Sequence, residues 1–165
     1  MKNASFLIVF ALLLTASCRT SEDSVQRVDQ VLNIYIDSAG QDLLNAKLLQ
    51  AYTEIRMNDV YGLRDTAPVN FSLKQNADTL NYIEYVAGAR RIIIDSSSAQ
   101  RSYESKIALA FAKKINDSTK VTVNDTLKIQ YLWTPAVFRV AEVWYNGNPA
   151  KLEPADLRYL IKISK

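Results

Sequence analysis

Punctuation is what most constrains this chain. Clusters of Asn, Asp, Ser, Gly and Pro recur about every ten residues from Asp37 onward, and the segments between them are short and rich in β-branched and aromatic residues. Val31 to Ile36 ends at Asp37-Ser38-Ala39-Gly40, and Tyr52 to Met57 ends at Asn58-Asp59. Val69 to Leu73 and Thr79 to Val86 alternate apolar with polar around Gln75-Asn76-Ala77-Asp78, which predicts a hairpin. Asn146-Gly147 is the strongest two-residue hairpin signal, because both positions of a type I′ turn need φ > 0.

Further strands are expected at Arg90 to Ile94, Lys120 to Val123, Thr126 to Trp133, Val137 to Tyr145 and Tyr159 to Ile163. Asn124-Asp125 is expected to turn between two of them. In Val137 to Tyr145, the pattern sets Val137, Arg139, Val143 and Tyr145 on one side and Phe138, Val140 and Trp144 on the other. Ile107-Ala108-Leu109-Ala110-Phe111 is apolar throughout, so periodicity does not separate strand from helix. Its neighbours favour strand, with Ile107, Leu109 and Phe111 inward. Asp42 to Gln50 reads as a loop or a single helical turn. The expected fold is all-β: an antiparallel sandwich of about eight or nine strands, Ig-like in outline, with a small barrel as the alternative.

The first residues follow another logic. Lys2 precedes Phe6 to Leu14, an apolar run of nine, then Thr15-Ala16-Ser17 and Cys18, the only cysteine. The run is far short of the roughly 20 residues that span a bilayer and has the length of a secretory h-region. A lone cysteine in an exported chain has no disulfide partner.

Leu14-Thr15-Ala16-Ser17-Cys18 resembles the lipobox of a bacterial lipoprotein, with Thr15 where leucine is usual. That looseness is similar to lipoproteins of Bacteroidetes-type bacteria. The resemblance implies a diacylglycerol on the Cys18 sulfur, cleavage before Cys18, and a lipid anchor in the outer membrane, with the face of the membrane left open. A plain secreted chain with a leftover thiol is the alternative. Asp37-Ser38-Ala39-Gly40-Gln41-Asp42-Leu43-Leu44, Asp125-Thr126-Leu127-Lys128-Ile129 and Trp144-Tyr145-Asn146-Gly147 also resemble uncharacterised lipoproteins of such bacteria, which lend no activity. Residues 1–17 are thus the expected leader, 18–29 the lipidated cysteine and a flexible tether, and 30–165 the sandwich.

Composition narrows the chemistry. Removing 17 of 165 residues leaves 148, enough for one cored domain. Lys2 leaves with the leader, so 19 basic residues face 17 acidic, a balance that argues against nucleic acid as a partner. The chain has no histidine, and its one cysteine is the expected acylation site. No metal or other cofactor is expected, and Ser-His and Cys-His nucleophiles are excluded.

Three residue sets are candidates for function. The aspartates sit beside turn residues and read as turn caps; a converging pair would instead suit a carboxylate-dependent glycan hydrolase. Asp followed by Ser or Thr, then a small or apolar residue or Thr, is similar to the O-glycosylation acceptor of Bacteroidetes envelope proteins. That pattern marks Ser24, Ser38, Thr66, Thr79, Ser118 and Thr126. Tyr131, Trp133, Trp144 and Tyr145 are candidate binding aromatics, or else core pairs. Arg90-Arg91 reads as a solvated strand end. The expected function is a non-catalytic binding or structural module of the cell envelope, contacting a protein partner or envelope polysaccharide.

Overall fold

A computed structural model describes residues 25–116 and 119–165. Among the described residues there is no helix, and so none long and apolar enough to cross a membrane. The strands are β1 (Arg27–Asp29), β2 (Val31–Ser38), β3 (Gln41–Asp42), β4 (Glu54–Asp59), β5 (Ser72–Gln75), β6 (Asn81–Val86), β7 (Ile92–Ser96), β8 (Arg101–Asn116), β9 (Thr119–Trp133), β10 (Val137–Tyr145), β11 (Asn148–Ala150), β12 (Glu153–Ala155) and β13 (Arg158–Ser164). They form two sheets. One runs β1-β10-β9-β8-β4, with β11 beside β10 and β7 beside β8. The other runs β12-β13-β2-β6-β5, with β3 beside β2.

Both sheets contribute to one apolar cluster, the arrangement of a β-sandwich-like fold. Ile107, Leu109, Phe111, Leu127, Ile129 and Tyr131 come from the first sheet, and Leu32, Ile34, Ile36, Ile83, Tyr85 and Ile161 from the second. The alternation sets this directly, since residues two apart on a strand share a face. The apolar run in β8 is therefore strand, with Ile107, Leu109 and Phe111 inward as expected. The tight turns behave as their residues dictate: Ala39 and Gly40 have φ of 49° and 78°, and Asn146 and Gly147 have φ of 50° and 81°.

Several expectations are corrected. The sheets are mixed rather than antiparallel: β1 runs parallel to β10, and β2 parallel to β13. Only tight turns force antiparallel neighbours. β1 and β2 are separated by Gln30 alone, and each joins a strand more than a hundred residues away. The strands outnumber the expected eight or nine because β1, β3, β11 and β12 are two- or three-residue pieces, too short to show alternation. The tether does not extend to residue 29, since Arg27 to Asp29 already belong to a sheet.

Asn124-Asp125 makes no turn; β9 runs straight through it. Asp125 points inward and is satisfied there by side chains of other elements. In β10 a bulge between Val140 and Glu142 reverses the expected parity, so Phe138, Val140, Val143 and Tyr145 all face the core and Trp144 faces out. The strand expected at Val69 to Leu73 starts later, at Ser72. Val69 is instead buried beneath β4, its N–H donating to the Met57 carbonyl at 2.9 Å.

Candidate functional site

The registers place a row of large side chains across the inner face of the first sheet. Val28 lies beside Phe138, Phe138 opposite Trp133, and Trp133 opposite Arg101. One step deeper, Tyr131 stands opposite Tyr103, and Tyr103 opposite Ile93. Residues directly opposite share a face, so both rows point the same way. Cover from the second sheet runs out across them. Tyr131 is 1% exposed, Tyr103 and Trp133 are half-buried, and Val28 and Ile93 are 49% and 60% exposed.

Here the sandwich opens into a cleft of about 460 Å³, lined by Val28, Tyr103, Trp133 and Phe138 together with Gln26, Gln30 and Arg91. Arg91 is its cation. The guanidinium carbon lies 5.0 Å from the ring centre of Tyr131 and 4.8 Å from that of Phe138. Nη2 donates to Gln30 Oε1 at 3.1 Å and to the Ala87 carbonyl at 2.8 Å, while Nε is buried with no hydrogen-bond partner. Arg101 lies 5.0 Å over the ring of Trp133. Among the described residues, neither guanidinium has a carboxylate within 4.0 Å. Beneath the cleft, Ser105 and the Tyr131 hydroxyl share a hydrogen bond of 3.2 Å. Burial raises the Tyr131 phenol above its ordinary pKa, so it remains a neutral hydroxyl in the floor. Gln26 is held by its amide, which donates to the Thr134 carbonyl at 2.5 Å.

A second cation sits over aromatic rings elsewhere. Lys165 Nζ lies 5.0, 4.6 and 5.8 Å from the ring centres of Tyr52, Phe111 and Tyr145. It pairs with Asp125 and donates to the Tyr52 hydroxyl at 3.0 Å. The Tyr145 hydroxyl and the Asn146 amide donate to Asp125 as well, at 2.8 and 2.6 Å. Burial alone would raise the Asp125 carboxyl. The donors Lys165, Asn146 and Tyr145, with the Lys165 charge, outweigh it and hold the group below the usual carboxylate range.

The four candidate aromatics are therefore not one platform. Tyr131 and Tyr145 are core residues, 1% and 7% exposed, because alternation and the β10 bulge turn both inward. Trp144 lies on the outer face, under Lys128 at 3.8 Å. Trp133 alone of the four lines the cleft. Sequence reasoning missed Arg91, Tyr103, Phe138, Gln26 and Gln30. Arg91 is not a solvated strand end, although Arg90 is exposed. The available signal was spacing within the strand expected at Arg90 to Ile94, where Arg91 stands two positions before Ile93; in the structure it lies just ahead of β7.

Asp65 shares one cleft lining with Asp125 and another with Asp59, but among the described residues one pair of carboxylates stands directly opposite across two strands. Asp37 stands opposite Asp42, and both line a smaller cleft of about 300 Å³ with Tyr35, Asn81 and Lys162. Both are engaged in holding local structure. Asp37 accepts from the Gly40 N–H at 3.2 Å and from Ser164 Oγ at 2.7 Å. Asp42 accepts from the Leu44 and Asn81 N–H groups and from the Asn81 amide. Among the described residues, no group of three or more Asp, Glu or Cys is placed to hold a metal.

Of the candidate glycosylation acceptors, Thr66 and Thr79 are exposed. Thr126 is half-buried in mid-strand, and the Ser38 hydroxyl donates to the Lys165 carbonyl at 2.7 Å. Ser24, Ser118 and Cys18 lie outside the described residues. No family model matches this chain, and comparison with curated proteins and with solved structures returns no match.

Proposed function

We propose that this protein is a non-catalytic binding module of the cell envelope, anchored by lipid on Cys18, which holds an envelope polysaccharide in the cleft between Arg91 and Trp133. The observation that supports this reading is the cleft itself. Trp133 and Tyr103, both half-buried, offer aromatic surface that matches the C–H face of a sugar ring, Phe138 backs them from the core, and Gln26 and Gln30 set amide groups beside them. The volume falls in the range of small-ligand sites, roughly 300 to 1,000 Å³. The lipobox-like Cys18 supports an outer-membrane location. From Cys18 to Gln26 is eight residues, a contour of at most about 29 Å, so the ligand would be met close to the membrane.

The finer fold reading, Ig-like in outline, is supported by two sheets around one core; the parallel pairs β1–β10 and β2–β13 depart from it. Exposed Thr66 and Thr79 are the acceptors that best fit O-glycosylation, and an intact mass from the native host shows whether either is modified. A glycan hydrolase would best use Asp37 and Asp42, the pair that stands directly opposite in one cleft. Their occupied oxygens favour the binding reading.

The test is retention of the native chain on its host's envelope polysaccharide, coupled to beads, beside Trp133→Ala. Wild type is retained and the variant elutes, with unchanged circular dichroism. Equal retention of both would remove the cleft from the account. Release of new reducing ends, abolished by Asp37→Asn, would favour the hydrolase.

A further inference from the structure

We infer that the saccharide this cleft takes is acidic, with its carboxylate or phosphate set against the Arg91 guanidinium. The inference rests on the binding reading above and names the ligand's chemistry. A half-buried cation normally sits beside an opposite charge, because removing it from water otherwise costs stability. Among the described residues, Arg91 has no such partner within 4.0 Å. Two of its N–H bonds go to neutral acceptors, Gln30 Oε1 and the Ala87 carbonyl, and its Nε has none. The floor beneath it is aromatic, and Arg101, which lies over the cleft residue Trp133 without itself lining the cleft, also has no carboxylate within 4.0 Å among the described residues. Among the described residues, no Asp or Glu lines the cleft. Two arginines beside aromatic faces with no acid among them make a surface selective for negative charge. The planar guanidinium fork also suits carboxylate and phosphate better than neutral hydroxyls.

Four other clefts among the described residues have charged linings, and each includes a carboxylate. Asp37 and Asp42 face Lys162 in one, and Asp125 and Asp65 lie with Arg56 in another. Glu84 lines a third, and Asp59 and Asp65 lie with Arg64 in the fourth.

The experiment is a fluorescence titration of the full chain carrying Trp144→Phe, which leaves Trp133 as the sole tryptophan. The probe is the host's envelope polysaccharide in four forms: untreated, carboxyl-reduced, dephosphorylated, and doubly treated. Untreated polysaccharide is expected to change Trp133 emission, and one treatment to weaken binding by roughly ten-fold or more, as for loss of a charged hydrogen bond. Whichever treatment does so identifies the anion. Arg91→Met is expected to produce the same loss on untreated material, with Arg91→Lys intermediate. Arg101→Met, at an exposed position, serves as a second variant should Arg91→Met fail to fold; it is expected to weaken binding to untreated material and to leave the doubly treated material unaffected. Equal binding of untreated and doubly treated polysaccharide would overturn the inference and leave the binding reading standing. No response to any form would overturn both.

Discussion

Two regions of this molecule pose the same physical problem and solve it differently. Each lays a cation over aromatic rings: Lys165 over Tyr52, Phe111 and Tyr145, and Arg91 over Tyr131 and Phe138. At Lys165 the counter-charge is built in, because Asp125 pairs with it and takes two further donors. That region is complete within the chain and ties β9, β10 and the segment after β13 together. At Arg91 the rings and the neutral acceptors are present, and among the described residues no carboxylate is. A complete cation site stabilises a fold; an incomplete one leaves room for a ligand.

The largest expected effect breaks the completed site. Asp125→Asn leaves Lys165 over the rings without its counter-charge and should cost about 3 kcal/mol in urea unfolding. Loss below about 1 kcal/mol would mean that the pair is not a structural tie.

Acid sharpens the same contrast. The Asp125 carboxyl is depressed in the folded state, so its contribution is present above the unfolded value of about 3.9 and is lost as pH falls through the lower folded value. Asp125→Asn should therefore lose stability less steeply than wild type below about pH 4, while Arg91→Met should follow the wild-type curve. An Asp125→Asn curve parallel to wild type would place the acid sensitivity in other carboxylates.

Third in size is Arg91→Met. It gives up hydrogen bonds to Gln30 and Ala87 but breaks no ion pair, so urea unfolding should show a loss of about 1 kcal/mol. A loss equal to that of Asp125→Asn would erase the distinction between the two regions. The smallest effect belongs to the rim: Ile93→Thr, on exposed strand β7, should change stability by less than about 0.5 kcal/mol in the same assay.

The strands were legible wherever alternation and turn residues agreed. Ile107, Leu109 and Phe111 pointed inward as their spacing required, and Asn146-Gly147 formed the hairpin its φ preference demands. What remained hidden depends on distant partners. Asp125 has the sequence surroundings of a turn residue, and only Tyr145, Asn146 and Lys165, brought by other elements, make a buried strand position acceptable. The bulge at Ala141 has no marker in a run of ordinary strand residues, yet it reverses which side of β10 meets the core. Pairing of β1 with β10 and of β2 with β13 joins segments over a hundred residues apart, beyond the reach of any local pattern. The cleft was half legible. Trp133 was a candidate from its strand face, while Arg91 took its meaning from Tyr131 and Phe138 on strands that follow much later.

The most direct test is an amide chemical-shift map of the full chain, isotope-labelled, titrated with the host's envelope polysaccharide cut to short oligomers. The account predicts shifts at Gln26, Val28, Arg91, Tyr103 and Trp133, with Asp125, Asn146 and Lys165 unmoved. Shifts centred on Asp37, Asp42 and Asn81, or spread equally over both cation sites, would contradict it.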